Sequence, residues 1–353
     1  MTRRSEVRVG IVGCGNIGHY HAERYQEAGA TVVGGVDISE SARETFAAEF
    51  DVAAYEDPEP LYESVDAVSV TTPNKFHAEY AIAALETGLD VIVEKPLAHT
   101  LEDAERIAVA AADAEGFCMV GFHTRFENEV EVLRSYRGDG RLGETFHVEA
   151  NYLRRRGIPG RGSWFTSREV AGGGALIDIG AHALDLSLYL LGFPEVEEVN
   201  AVTRSLFGGR EEYAYIDMWG EDQGPGRFDV EDSVTAFVRC AGDRTVTLEV
   251  GWAANRPSKQ EYVLHGDEGG ATYDRGSGDL TIHDTATTGA VHMLDSAVET
   301  RDNDPHRDEI DYFLTHVAAG ESPDRNTVEQ GLVVQRVLEA VYEASASGSA
   351  VSL

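Results

Sequence analysis

Three places in the sequence combine residue type and spacing in a way that suits chemistry. Lys95 stands in Glu94-Lys95-Pro96 at the end of the apolar run Asp90-Val91-Ile92-Val93, and only three of the chain's 29 basic residues are lysines. A flexible amine between a strand and a proline can reach a ligand at the strand's carboxyl end, so Lys95 is a candidate for chemistry rather than solubility. Farther on, Gly172-Gly173-Gly174-Ala175-Leu176-Ile177-Asp178-Ile179-Gly180-Ala181-His182 sets an aspartate and a histidine four residues apart behind three glycines. On a helix such a pair shares one face, about 6 Å apart along the axis. An imidazole can trade a proton with an alcohol while a carboxylate orients it. The competing reading of Asp178 and His182 is an N-terminal carboxylate beside a packed histidine.

The third place is Gly13-Cys14-Gly15-Asn16-Ile17-Gly18, which follows the apolar run Val7 to Val12 and precedes a helical stretch. Asp37 closes the next strand, 19 residues past Gly18. In that context Gly13 permits a tight turn, Gly15 lets the backbone approach a diphosphate, and Gly18 lets helix and strand pack closely. The diphosphate then rests on the helix N-terminus at Asn16 and Ile17. Asp37 would accept hydrogen bonds from the adenosine ribose hydroxyls and repel a 2′-phosphate, which favours NAD. Arg43 nearby leaves NADP open. Thr72, Pro73, Asn74 and His77 follow another apolar run and would border the same cleft, although a turn and a helix cap explain Thr71 and His77 equally well.

These residues need a scaffold that brings strand ends together. Val7 to Val12, Ala30 to Val36, Ala67 to Thr71, Val91 to Glu94 and Phe117 to Gly121 read as strands. Ile17 to Ala28, Ser41 to Phe50, His77 to Thr87 and Leu101 to Glu115 read as amphipathic helices between them. Alternation with fully apolar strands predicts a doubly wound parallel sheet in a dinucleotide-binding domain over 1–122. After that the pattern changes. A helix over Glu127 to Tyr136, a strand over Thr145 to Leu153 and an apolar helix over Asp178 to Leu191 precede β-rich runs at Ser233 to Arg239, Thr245 to Trp252, Gln260 to His265 and Leu280 to His283. Consecutive strands without helices predict an α+β domain over 123–353 with a large, mainly antiparallel open sheet. Helices over His306 to Ala319 and Val328 to Ala346 close the chain, and a helix at about 326–346 is expected to pack back on the first domain.

Taken together, Gly13 to Gly18, Thr72-Pro73-Asn74, Glu94-Lys95-Pro96 and the glycine string with Asp178 and His182 resemble the Gfo/Idh/MocA family of sugar and polyol oxidoreductases. The resemblance implies a Rossmann N-domain and a C-terminal domain whose open sheet mediates homodimer or homotetramer formation. It also implies a catalytic triad of Lys95, Asp178 and His182. In it Lys95 touches the reacting hydroxyl and the nicotinamide ribose, and His182 accepts the proton; Glu94 and Lys95 count with the cofactor-binding residues. The segment Arg154-Arg155-Arg156-Gly157-Ile158-Pro159-Gly160-Arg161-Gly162-Ser163-Trp164-Phe165 is similar to a substrate-side loop in the family's glucoside 3-dehydrogenase and levoglucosan dehydrogenase-like members. Trp164 would stack on a sugar ring and Arg154 would bind ring hydroxyls or an anionic group, whereas Arg155 and Arg161 read as salt-bridge partners. The expected activity is oxidation of a secondary hydroxyl of a sugar, glycoside or cyclitol with NAD or NADP. Alternatives on the same fold are a redox-assisted glycoside hydrolase that restores its NAD, and a non-catalytic NAD-binding regulator.

Composition bounds the remaining choices. The 353 residues suit two domains, and a formal charge of −33, with arginine in place of lysine, reads as adaptation to a salt-rich cytoplasm. No basic face emerges to neutralise phosphates, so nucleic acid is not expected as a partner. Cys14, Cys118 and Cys240 are odd in number and far apart, which speaks against a disulfide framework and for a reducing compartment. Met1 to Glu6 carry no apolar leader and no run of 18 apolar residues follows, so neither a signal segment nor a membrane span is expected. No metal is expected either, since His19 and His21 do not share a helix face and no further ligand cluster accompanies them.

Overall fold

The first strand, β1 (Arg8–Val12), buries four of its five residues, as a strand covered on both faces must. In the computed structural model, which describes residues 6–215 and 218–353, β1 is flanked by β2 (Thr31–Val36) and β4 (Ala67–Val70). The sheet is completed by β3 (Ala53–Tyr55), β5 (Asp90–Glu94) and β6 (Cys118–Gly121), all parallel, in the order β3-β2-β1-β4-β5-β6. This is the doubly wound order with its reversal point at β1 and β4, so the loops after those strands open side by side. The strand Ala53–Tyr55 was not expected: three residues, one exposed and two half-buried, carry too little apolar pattern to announce it. Residues 1–5, where an absent leader was read, lie outside the described residues.

Two compact units divide the chain, one holding the described residues up to Phe126 with Asp304–Gln335, the other holding Glu127–Asn303 with Arg336–Leu353. The division departs from the expected one, because 304–335 belong with the N-terminal sheet. Asp304 shows why. Its carboxylate caps the helix Pro305–Ala319 at the His306 and Arg307 N–H groups and also accepts from Arg24 Nε at 2.7 Å and Tyr20 at 3.3 Å on the helix Asn16–Glu27. Behind that anchor Ile310, Phe313 and Leu314 enter one core with Val7, Val9, Tyr25 and Phe117. The helix Val328–Ser347 crosses the division, with its first part, through Gln335, in this unit.

The second unit is built on a nine-stranded sheet in the order β14-β13-β12-β11-β7-β10-β9-β8-β15. Its strands are β7 (Thr145–Leu153), β8 (Val196–Arg204), β9 (Ser233–Cys240), β10 (Arg244–Gly251), β11 (Lys259–Gly266), β12 (Gly269–Asp274), β13 (Asp279–Ala286), β14 (His292–Val298) and β15 (Val351–Ser352). All neighbours are antiparallel except β10 and β7. Alternating burial along β9, Ser233 to Cys240, marks one face turned to the core and one turned away. The core face packs against the helix Ala181–Leu191, whose side chains from Ala181 to Leu188 are buried throughout. The stretch Arg168–Leu191 is long and apolar enough to cross a membrane, but it is mostly buried inside the unit and is its core helix.

Candidate functional site

In the N-terminal unit the residues expected to hold a dinucleotide stand at the carboxyl ends of β1, β2, β4 and β5. The three glycines of the loop have three different reasons. Gly13 has φ +102° and its added Cβ would meet the Thr71–Thr72 backbone at 2.8 Å; one on Gly18 would lie 2.0 Å from the Gly13 carbonyl oxygen. Gly15, by contrast, has open space where a Cβ would stand, and Asn16 and Ile17 beside it are exposed. The helix Asn16–Glu27 starts there without a side-chain cap and without an acid in its first turn, so its N–H donors and positive end remain available to an anion.

Asp37 is fixed by the N–H groups of Cys14 at 2.9 Å and Ser39 at 2.8 Å, one on each carboxylate oxygen. Burial, with the charge of Asp37 adding to it, pushes the Cys14 thiol up to about 12, so that cysteine is inert as a nucleophile. Arg43 donates to the Asp37 carbonyl at 2.7 Å and lies 3.6 Å from Glu56, which engages the guanidinium that would have favoured a 2′-phosphate. The Thr72 hydroxyl is buried and lacks a hydrogen-bond partner, the condition of a group waiting for a ligand. An open cradle, an uncapped helix end, a fixed carboxylate and an orphaned hydroxyl fit a nicotinamide dinucleotide.

His77 takes a different part from the one expected. It is fully buried, and its ring nitrogens lie 3.0 Å from the Pro96 carbonyl and 2.9 Å from the Thr72 carbonyl, while burial lowers its pKa. It therefore braces the Thr72-Pro73-Asn74 loop against the Glu94-Lys95-Pro96 loop and does not face a ligand. Glu94 is held by His21 Nε2 at 3.0 Å on one oxygen and the Lys95 N–H at 3.2 Å on the other. Burial alone would raise the Glu94 carboxyl, but the hydrogen bond and charge of His21, with Lys95 adding to them, hold it down to about 2. Behind His21 a buried relay continues through Ser69 at 3.2 Å to the Tyr25 hydroxyl at 2.7 Å. Lys95, half-buried, leaves β5 directly after this anchored glutamate.

In the C-terminal unit Asp178 and His182 straddle a change of helix type. Asp178 lies in a π-helical turn, Leu176–Gly180, and His182 in the first turn of the α-helix Ala181–Leu191, where a single α-helix from Asp178 was expected. Wide turns of this kind concentrate at functional sites. Asp178 accepts the indole N–H of Trp252 at 2.8 Å and lies 3.6 Å from Arg154 Nη1. His182 is buried.

The glycine string ahead of this turn is explained by a carboxylate that sequence reasoning missed. Glu231 Oε1, buried, accepts the N–H groups of Gly174 at 2.9 Å and Leu176 at 3.0 Å and the Tyr342 hydroxyl at 3.0 Å. A Cβ on Gly173 would lie 1.9 Å from the Tyr342 hydroxyl and one on Gly174 2.0 Å from the Glu231 carbonyl oxygen. The backbone thus approaches as closely as glycine allows, and Glu231 caps the turn that carries Asp178. Trp252 was likewise missed as a partner, because an aromatic ending a strand ordinarily reads as core; its buried N–H must find an acceptor, and finds Asp178.

Of the expected substrate-side residues, Arg154 is brought to Asp178 and also donates to the Gly157 carbonyl at 3.2 Å. Trp164 is 36% exposed and packs on Phe165, which meets Trp219 edge-on at 4.3 Å, so an aromatic group stands on this loop. Arg161 is a staple, as expected, buried and bidentate to Asp222 at 2.8 and 3.0 Å. Arg155 is exposed, its N–H on Ser258 Oγ.

The sequence matches the family described as "Oxidoreductase family, NAD-binding Rossmann fold" over residues 7–122 and the "GFO/IDH/MocA C-terminal domain" over residues 130–272. It is 32% identical over 356 residues to a D-glucoside 3-dehydrogenase of Escherichia coli (strain K12), covering 99% of this chain and 98% of that one. A levoglucosan dehydrogenase of Pseudarthrobacter phenanthrenivorans is 33% identical over 222 residues, 60% of this chain and 55% of the relative. A solved levoglucosan dehydrogenase in complex with NADH has the same fold, with a TM-score of 0.86 at 24% identity and 98% of each chain covered. With both of its domains matched and a full-length relative at this identity, the chain belongs to the Gfo/Idh/MocA family of NAD-binding oxidoreductases.

Proposed function

We propose that this chain is an NAD-dependent dehydrogenase that oxidises a secondary hydroxyl of a sugar, glycoside or cyclitol to a ketone. The observation that carries the reading is the Asp178 arrangement. A carboxylate fixed by Trp252 and Arg154 stands one turn before a buried histidine, on a helix start that Glu231 holds in place. NAD, when bound, supplies the hydride acceptor, which is the cofactor's own chemistry. The glycine loop and the helix end at Asn16 would hold its diphosphate, Asp37 its adenosine ribose hydroxyls, and Thr72 and Lys95 its nicotinamide side. His182 takes the hydroxyl proton, Asp178 orients the acid-base group, and Lys95 binds the reacting oxygen and favours its deprotonation. Arg154 and the Trp164 group engage the rest of the sugar through hydrogen bonds and stacking. The D-glucoside and levoglucosan oxidations named for its relatives support a pyranose as the substrate class. The same reading takes the protein as a cytoplasmic homodimer or homotetramer; three buried free cysteines suit a reducing compartment.

The test is NADH absorbance in KCl-containing buffer with glucose, glucosides, levoglucosan, xylose and inositols. Sustained NADH formation with one class is expected. Lys95→Ala or His182→Ala should lower turnover by about 10²–10⁴-fold, the usual share of a general acid-base group, while in the His182 variant NAD binding measured by calorimetry stays near wild type. Aglycone release without NADH would move the reading to redox-assisted glycoside hydrolysis, and loss of NAD binding in the His182 variant would remove that residue from the proposed role.

A further inference from the structure

Among the described residues, one group of three side chains away from Asp178 and His182 has the chemistry of a metal centre: His147, Glu149 and His265. His147 and Glu149 are two apart on β7 and so share a face of the pleat, and antiparallel pairing sets His265 of β11 directly opposite His147. Val148 and Ala150 point to the core, so the three face outward, where each is half-exposed. One ligand atom from each lies within 4.8 Å of the others, His265 Nε2 and Glu149 Oε1 at 3.0 Å, and the two imidazole centroids are 5.3 Å apart. Donors at about 2.0–2.2 Å around a tetrahedral ion stand about 3.3 Å from one another. Small rotations of half-exposed side chains on a rigid sheet close that gap.

The surroundings also suit the form of His147 that binds metal. Its Nδ1 lies 3.2 Å from the Thr245 carbonyl and 2.8 Å from the Thr245 hydroxyl, on β10. With the proton on Nδ1 and donated to Thr245, Nε2 presents its lone pair, the arrangement by which an outer partner orients a ligating imidazole. Two imidazoles and one carboxylate form a borderline donor set that suits Zn2+ and its first-row neighbours; Mg2+ and Ca2+ want oxygen ligands throughout.

We propose that His147, Glu149 and His265 form a zinc-class divalent metal site that ties β7 to β11 on the outer face of the sheet, with Thr245 orienting His147. The tie is structural and involves no redox step, because Zn2+ exchanges no electrons. The bare alternative is a hydrogen-bonded His265–Glu149 pair that needs no ion.

The experiment uses the full chain, stripped with EDTA and dialysed, titrated with Zn2+ by calorimetry and with Co2+ by visible absorbance. The expected result is one equivalent per chain with Co2+ bands, and a Zn2+-dependent rise in Tm. His147→Gln and His265→Gln, which keep size and polarity on an outward face, should each weaken binding by at least about tenfold and abolish the Tm rise. His283→Gln should not, since His283 lies on β13 paired with Asp295 at 2.7 Å. Mg2+ should produce no such rise. Absence of saturable Zn2+ binding by the wild type, or equal binding by the two glutamine variants, overturns the proposal.

Discussion

At the scale of single residues the most consequential feature is the relay that ends in Glu94. The carboxyl is held at about 2, well under its ordinary 4.5, so its ionised form is favoured in the folded state. The sign follows directly: this contribution is present above pH ~4.5 and is lost as pH falls from there toward about 2. His21→Ala removes the hydrogen bond and charge that offset burial, so the acid limb of unfolding should move to higher pH; an unchanged limb by circular dichroism would deny His21 its part. Glu94, Lys95 and the glycines are legible in the sequence because their requirements are local, a turn or a strand end. His21 and His77 are not. Whether a histidine ligates, braces or anchors depends on partners such as Ser69, Pro96 and Thr72, which neighbour them only once the sheet has formed.

At the scale of elements the decisive one is the π turn Leu176–Gly180 and its cap. Glu231→Ala would leave the Gly174 and Leu176 N–H groups buried without an acceptor, costing about 1–3 kcal/mol for each unsatisfied group. The turn that carries Asp178 would then shift, and a misplacement of about 1 Å can cost about 10²-fold in kcat. Glu231→Gln keeps an acceptor at the same place and, because burial raises the Glu231 carboxyl, removes a charge that the fold does not favour. The expected outcome is kcat reduced about 10²-fold in the alanine variant and near wild type in the glutamine variant, with the Kd for NAD unchanged in both. Equal losses in the two would show that the charge, and not the acceptor, matters. Helical periodicity from Ala181 to Leu191 is plain in the sequence, but the wide turn before it is not. It arises from contacts of Gly173 and Gly174 with Tyr342 and Glu231, residues far away along the chain. Short or Gly-rich strands such as Ala53–Tyr55 and Gly269–Asp274 were missed for a related reason: three to six residues carry little period, and pairing with neighbours makes them strands.

At the scale of the whole molecule the formal charge of −33 sets the solution behaviour. Surface pairs such as Arg8–Asp66 and Lys259–Glu261 weaken in salt, but each contributes little, whereas the unbalanced acids repel collectively. Screening shortens from ~10 Å at 0.1 M to ~3 Å at 1 M salt, so repulsion is relieved more than attraction is lost. Calorimetric Tm should rise with KCl, by about 2–4 °C for each kcal/mol relieved; a falling Tm would show that the ion pairs dominate. The sequence by itself determined what depends on composition or local period: the acidic charge, the parallel sheet with its glycine loop and Asp37, the antiparallel second sheet, and the candidate residues Lys95, Asp178 and His182. Only the tertiary structure decided that 304–335 join the N-terminal core through Asp304 and Phe313, that Trp252 and Arg154 hold Asp178, and that β7 and β11 set His147, Glu149 and His265 together. The physical reason is that period and turn chemistry act over a few residues, while strand register and core packing join residues far apart along the chain, and no local pattern encodes which ones will meet.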